Sequence, residues 1–264
     1  MTAEQLDAEW IIGRLTPSAA HWLEDIAIHG SIGSTNAELV ELAGHRSIDG
    51  VVCLAETQTA GRGRRGRQWL SPPGASIALS LGRVLDVPPA QVGALSLVVG
   101  LAVADALSDA GVRLKWPNDL LLSGRKLGGI LVELVSGGSS STVVVGVGIN
   151  VNVSAKSREG IDQPIANLTE VVDNPSHNAL VAALINAIID FSAQFEANGF
   201  SSMKAAWQSF HHFHGEPVRL LIADRIVEGV VVGVEDSGEL VLDCDGELLR
   251  FSAGEVSLRA TNLR

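Results

Sequence analysis

A loop of glycine and arginine with a helix breaker on its far side constrains this chain most. Residues 50–55 read as a strand, and Gly61-Arg62-Gly63-Arg64-Arg65-Gly66-Arg67 follows it. Trp69-Leu70-Ser71-Pro72-Pro73-Gly74 then leads into a second strand-like run at 76–85. The loop fits the pattern GxGxxG, with Asp86 twenty residues beyond its last glycine. A dinucleotide fold needs that loop to open a helix whose N-terminus holds the pyrophosphate, and a segment with two prolines cannot propagate one. A kinase glycine loop is excluded as well, since no VAIK, HRD or DFG element follows. What remains is a flexible loop carrying four guanidiniums. These suit bidentate bonds to phosphate oxygens, because arginine stays charged at any working pH. For the loop alone, a solvated basic turn or a local nucleic-acid patch stays open.

The charge balance narrows that choice. The chain carries a formal net charge of −11, yet four of its 19 basic residues fall within positions 62–67. An acidic chain does not bind nucleic acid over a broad surface, whereas so local a cluster points to a polyanionic ligand. The 264 residues are 46% hydrophobic and 19% charged with 28 Gly, which fits a soluble mixed α/β globular enzyme. Residues 90–104 form the only long uncharged apolar stretch. Gln91, Gly93 and Ser96 interrupt it short of a membrane span, so it reads as a buried core helix. Glu4, Asp7 and Glu9 do not resemble a secretory signal, which gives a cytoplasmic expectation. Cys53 and Cys244 each lie in an apolar, strand-like run without metal-type spacing and read as buried free thiols.

Periodicity orders the rest. Residues 1–25 carry a weak helical pattern at Leu6, Trp10 and Leu15 before Thr16-Pro17, and a strand and a helix flank Ser34-Thr35-Asn36. A helix is expected over 90–109 with Gly111 at C′, then strands at 112–116, 120–122, 126–135 and 142–153, with turns at 123–125 and 136–141. Helices are expected at 177–197 and 201–210. From Glu216 the texture turns short-stranded, with runs at 217–222, 226–234, 239–244, 247–252 and 256–259 that predict a small antiparallel barrel. The domain boundary falls near residue 215, giving 1–215 and 216–264.

A second cluster carries more chemistry. Lys115-Trp116-Pro117-Asn118-Asp119 delivers polar groups at a strand end, where ligands commonly meet a sheet, although Asn118-Asp119 is also ordinary turn chemistry. Lys126 begins an otherwise apolar strand, so its ammonium either points into a cleft, where it can neutralise a reacting carboxylate and phosphate, or stays exposed at the strand end. Gly128-Gly129 weakens a strand unless backbone or ligand must approach closely. In His211-His212-Phe213-His214, adjacent histidines diverge on any regular element, which favours a structural or solvated role over a metal site.

Taken together, GSTN at 33–36, ETQTAGRGRRGRQW at 56–69, KWPNDLL at 115–121, GRKLGGILVE at 124–133 and GVGINVN at 146–152 resemble the biotin protein ligase family in order and spacing. The tail ending in Glu255-Val256-Ser257-Leu258-Arg259 resembles that family's C-terminal SH3-like domain; Glu255 lies outside the residues the structure describes. The resemblance implies an α+β fold, with a class II aminoacyl-tRNA-synthetase-like catalytic domain and a small SH3-like β-barrel. It implies ATP-dependent formation of biotinyl-5′-AMP with Mg²⁺, followed by transfer of biotin to a lysine of a carrier domain of an acyl-CoA or pyruvate carboxylase. No metal ligands are singled out.

The resemblance also implies roles for individual residues. Ser34, Thr35 and Asn36 match the turn that contacts biotin, although Thr35 to Glu38 also reads as a capping box. Gln58 and Arg62-Gly63-Arg64 match the segment and loop that close over biotin and the adenylate. Lys126 matches the lysine between the biotin carboxylate and the α-phosphate, with Gly129 and Ile130 along the biotin tail. Catalysis is thereby assigned to Lys126, Arg62 and Arg64. Arg64, Arg67, Trp69, Lys115, Asn118, Lys126, Asn150 and Arg259 match nucleotide-side positions. Some family members carry an N-terminal winged-helix DNA-binding domain. Here the first motif begins by residue 34, so the expectation is a monofunctional ligase without DNA or membrane partners, either monomer or homodimer. Lipoate or octanoyl transfer is the nearest rival, and its RRxSGGGxVxHD pattern is absent. A nucleic-acid-binding regulator is weakened by the acidic charge and the absence of a recognition helix.

Overall fold

The computed structural model describes residues 4–158, 163–222, 225–252 and 256–260. Six α-helices lie among them: α1 Ala8–Ile12, α2 Pro17–Trp22, α3 Thr35–Leu42, α4 Leu95–Ala106, α5 His177–Asn198 and α6 Lys204–Phe210. Seven strands build the larger sheet: β1 Asp25–His29, β2 Val51–Ala55, β3 Ser76–Leu85, β4 Arg113–Lys115, β5 Asp119–Leu122, β6 Arg125–Gly137 and β7 Ser141–Asn150. Their order is β1-β2-β3-β7-β6-β5-β4, with β1 and β2 parallel and every other pair antiparallel.

Strand β7 shows how the sequence divides the two faces. Side chains alternate across a pleated strand. Val143, Val145, Val147 and Ile149 enter the main core with residues of α4 and α5, while Val144 packs with Leu39 of α3 on the opposite side. Gly146, Gly148 and Asn150 share the face of Val144 and line an open cavity instead. The same alternation splits β2, whose Val52 and Leu54 join the main core and whose Val51 and Cys53 join the cluster of α3. A strand buried on both faces explains an unbroken apolar run at 51–55.

Pro89–Ala106, which is α4 with the 3-10 turn before it, and α5 are long and apolar enough to cross a membrane by length and composition, but both pack their apolar residues into this core. The helix expected over 90–109 is shorter. Pro89–Ala94 and Ser108–Ala110 are 3-10 turns around α4, and Gly111 ends the segment at φ 71°. The expected helix at 201–210 likewise begins with a 3-10 turn, Phe200–Ser202, before α6. At α3 the cap is Ser34, one residue before the capping box expected from Thr35, because the Thr35 hydroxyl bonds to Gln58 instead.

The remaining strands, β8 Pro217–Ile222, β9 Arg225–Val234, β10 Leu240–Cys244, β11 Glu247–Phe251 and β12 Val256–Ala260, form a five-stranded antiparallel sheet ordered β11-β10-β9-β8-β12. The barrel expected from the sequence is here an open sheet: β11 and β12 are its edges, and among the described residues no ladder joins them. This sheet shares the main core with the larger one, through Leu220, Val231, Leu240 and Leu258 beside Leu114, Trp116 and Trp207. The Trp116 indole donates to Gly238 O across that contact at 3.0 Å. Cys53 is buried, and burial pushes its thiol up to about 12. Cys244, expected to be buried, is half-buried at the end of β10 beside the turn into β11.

Candidate active site

Strand β4 delivers Lys115, the chain turns through Trp116, Pro117 and Asn118, and β5 returns with Asp119. The turn places Lys115 Nζ 3.0 Å from Asp119 Oδ2, and Lys126 Nζ reaches the other oxygen, Oδ1, at 2.6 Å. All three side chains are no more than 16% exposed. Burial alone would raise the Asp119 carboxyl, but Lys126 and then Lys115 outweigh it and hold the group below the ordinary carboxylate range. Burial pushes the Lys115 ammonium down, and Asp119 opposes that shift.

Asn118 fastens this end to β6. Its Nδ2 donates to Ile130 O at 2.7 Å, while its backbone carbonyl accepts from the Ile130 N–H at 2.9 Å. Its Oδ1 lies 3.5 Å from Arg64 Nη1, which brings the arginine loop to the lysines. Asn150 Nδ2 donates to Lys126 O at 3.3 Å and so secures the start of β6. Gly128 has a packing reason: a Cβ there would stand 2.4 Å from Gly148 O. A Cβ at Gly129 would lie nearest Lys126 and Asn118, at ordinary contact distances, which sets that glycine beside the ammonium.

The loop itself is a short hairpin over the cavity. Gly63 N–H donates to Arg67 O at 2.7 Å and Trp69 N–H to Gly61 O at 2.8 Å, while Arg65 takes the left-handed conformation at φ 59°. No helix follows, as the prolines dictate. Trp69 leaves the hairpin and lays its indole against β7, where a Cβ at Gly148 would fall 2.6 Å from the ring. The indole N–H is buried without an acceptor among the described residues.

At the other end, Thr35 donates from N and Oγ1 to Gln58 Oε1, at 2.9 and 3.2 Å. The one hydroxyl hydrogen of Ser80 is shared between Thr35 Oγ1 at 2.8 Å and Asn36 Oδ1 at 2.6 Å. Asn36 spends its amide hydrogens on Glu133 Oε2 and Leu131 O, so its side chain faces protein partners.

These parts enclose a cavity of about 620 Å³. Ser34, Thr35, Asn36 and Gln58 line one end; Arg62, Gly63, Arg64, Arg67 and Trp69 cover it; Lys115, Asn118, Lys126, Gly129, Ile130 and Asn150 form its sheet wall; and Arg259 enters from β12. Every site residue expected from the sequence is therefore in one place. Asp119, Ser80, Gly146, Gly148, Gln163 and Leu258 line it as well and were assigned no role from the sequence. Asp119 had a signal, since it directly follows Asn118 in the same polar turn. Ser80 is one hydroxyl inside an apolar strand and had none.

The histidine cluster lies elsewhere. His211 stacks on Trp207 with centroids 4.7 Å apart, and its Nε2 accepts from the Trp116 N–H at 3.3 Å. No three His, Cys, Asp or Glu side chains gather at metal-binding distance among the described residues.

A mixed, mostly antiparallel sheet with a cationic, loop-covered cavity on one face and a small β-sheet domain at its side matches the fold of solved biotin protein ligases. Residues 32–150 match the model of the biotin/lipoate A/B protein ligase family, and residues 213–259 match that of the biotin protein ligase C-terminal domain. The chain is 38% identical over 259 residues to the bifunctional ligase/repressor BirA of Escherichia coli, covering 97% of this chain and 78% of that protein. It is 37% identical to the biotin--[acetyl-CoA-carboxylase] ligase of Mycobacterium tuberculosis over 95% of each. The solved biotin protein ligase of Aquifex aeolicus in complex with biotin and ATP superposes with a TM-score of 0.76 at 27% identity, over 90% of this chain and 100% of that one. The chain belongs to the biotin protein ligase family.

Proposed function

We propose that this protein joins biotin to ATP and then to a lysine of a carrier domain, with the 1–215 region carrying the chemistry and 216–264 completing the nucleotide side. The observation that supports this most is the single cavity in which a polar pair, Thr35 and Gln58, and a cationic end, Lys115, Lys126 and Arg64, face each other beneath one loop. A ligand with a hydrogen-bonding ring and a carboxylate tail fits between them, and a nucleotide phosphate fits at the cationic end.

In the first half-reaction an oxygen of the biotin carboxylate bonds to the α-phosphorus of ATP, the bond to the β-phosphate oxygen breaks, and pyrophosphate leaves. Lys126 can neutralise the two anions that must approach each other, and the loop arginines can take up charge that grows on the phosphate. In the second half-reaction the acceptor amine attacks the biotinyl carbonyl, AMP leaves and the amine loses a proton. The chain's tasks are alignment, charge neutralisation and exclusion of water from a hydrolysable anhydride. No covalent bond to the enzyme is needed.

Mg²⁺ would act by neutralising phosphate charge. Asp119 is the one carboxylate lining the cavity among the described residues, and a lysine holds each of its oxygens. That donor set fits a cation carried mainly on the ATP phosphates, with Asp119 at most a single protein ligand. We assign the acceptor as the carrier domain of an acyl-CoA or pyruvate carboxylase and the compartment as the cytoplasm.

The test is incubation with biotin, ATP, Mg²⁺ and a carboxylase carrier domain, followed by mass analysis of its lysine. A biotinylated lysine is expected. Transfer of lipoate with none of biotin, or tight oligonucleotide binding in its place, would overturn this function.

A further inference from the structure

Asn36 lines the cavity, yet its amide is directed away from any ligand. Its Nδ2 donates to Glu133 Oε2 at 2.8 Å and to Leu131 O at 3.3 Å, which uses both hydrogens. A carboxylate and a backbone carbonyl only accept, so Glu133, the nearer of the two, and Leu131 O together decide which end of the amide is nitrogen. That choice turns Oδ1 toward Ser80, whose one hydroxyl hydrogen is shared, as a three-centre bond, between Asn36 Oδ1 at 2.6 Å and Thr35 Oγ1 at 2.8 Å. Thr35 then passes its own hydroxyl hydrogen, and its backbone N–H, to Gln58 Oε1. Glu133 and Leu131 O thus fix the amide at one end and the Thr35 N–H fixes Gln58 Oε1 at the other, so the links left to be oriented between them are the hydroxyls of Ser80 and Thr35. A flipped Asn36 would set oxygen against oxygen at Glu133 and donor against donor at Ser80.

The seat of this amide is closed. Ser80, Thr35 and Asn36 are 0%, 3% and 4% exposed, so water does not repair a mismatch. A Cβ at Gly146 would stand 2.1 Å from Asn36 Oδ1, so β7 presents bare backbone where the amide lies.

We propose that Glu133, Asn36 and Ser80 are positioning residues, a polarity relay that orients the Ser80 and Thr35 hydroxyls beside Gln58 and thereby sets the affinity for the ring of biotin. The proposal rests on the biotin ligase function above. Its signature is selective, because the relay ends at Thr35 and Gln58 and does not reach Lys126 or the arginine loop.

The experiment measures biotin-dependent ATP–pyrophosphate exchange, with the KM for biotin, the KM for ATP, kcat and the thermal midpoint of each variant. Glu133→Lys replaces the acceptor by a donor and reverses the first bond. Ser80→Ala removes the middle link with little change in volume. Each is expected to raise the biotin KM about tenfold or more, the loss expected when a buried group is left unsatisfied, with kcat and the ATP KM within about twofold. Glu133→Gln keeps an oxygen that accepts from Asn36 and is expected to restore most of the loss. A biotin KM within twofold of the parent in both Glu133→Lys and Ser80→Ala overturns the relay. So does a joint decline of kcat, ATP KM and thermal midpoint, which would mark a merely structural role. If the parent protein itself shows no biotin-dependent exchange, the ligase function falls first and the relay with it.

Discussion

Lys126 Nζ stands 2.6 Å from Asp119 Oδ1, and Lys115 Nζ holds the other oxygen of the same carboxylate at 3.0 Å. In the mechanism proposed above this arrangement would store the ammonium that the chemistry needs: Asp119 would serve Lys126 as a counter-ion until a substrate anion competed for it, and Lys115 would keep Asp119 paired. Lys126→Ala is therefore expected to lower adenylate formation on the order of 10²–10³-fold, the usual effect of removing one charge-stabilising donor. The thermal midpoint should move by only a few degrees, because Asp119 retains one partner. Pyrophosphate release and a thermal melt on the same sample check this. Full activity would remove Lys126 from the mechanism.

Asp119→Asn should show its cost in stability and in pH dependence. The substitution leaves two largely buried lysines without their shared carboxylate. Breaking such a buried pair costs on the order of 3–5 kcal/mol. Lys126 and Lys115 hold the Asp119 carboxyl below its ordinary value of 3.8, against the upward push of burial. A carboxyl depressed on folding adds stability that is fully present above the unfolded value and is lost as pH falls through the folded one. The parent should thus exceed Asp119→Asn by a constant margin between pH 7 and 5, and the margin should shrink below about pH 4. Urea unfolding across that range reads both quantities. A margin that already shrinks between pH 7 and 5 would show that Asp119 is not held low.

Much of this site was legible because the sequence states its chemistry locally. Pro72-Pro73 rules out a helix after the arginine loop, and the structure has none there. Lys115 through Asp119 reads as a strand end with polar groups, and β4 and β5 meet there. Elements whose ends depend on tertiary partners were less legible. Thr35 reads as a cap from its spacing to Glu38, but Gln58, 23 residues away in the chain, claims its hydroxyl, and Ser34 caps α3 instead. The helix expected over 90–109 frays into 3-10 turns at Pro89–Ala94 and Ser108–Ala110, where chain geometry outweighs apolar periodicity. Ser80 and Glu133 carried no signal because their meaning lies in pairing β3, β6 and α3 across the sheet. Closure of the C-terminal strands into a barrel depends on edge pairing that strand length and spacing do not encode.

His211 gives a test remote from the cavity. Burial above all, followed by the nearby charges of His214, His212 and Arg113, pushes its imidazole down to about 3 from an ordinary value of 6.5. Only the neutral ring can accept the Trp116 N–H at Nε2, and that bond steadies the residue from which the Pro117-Asn118-Asp119 turn departs. Between pH 6.5 and 3 the unfolded chain binds a proton at this position that the folded chain refuses. Stability should therefore fall as pH is lowered through that window, by roughly 1.4 kcal/mol per pH unit from this group. His211→Gln keeps an acceptor for Trp116 but does not titrate. The lost stacking on Trp207 should lower its stability by a pH-independent amount, and the stability difference between parent and variant should narrow as the solution is acidified. Parallel unfolding curves for parent and variant from pH 6.5 to 4 would mean that His211 is protonated in the folded protein, and Trp116 N–H would then need another acceptor.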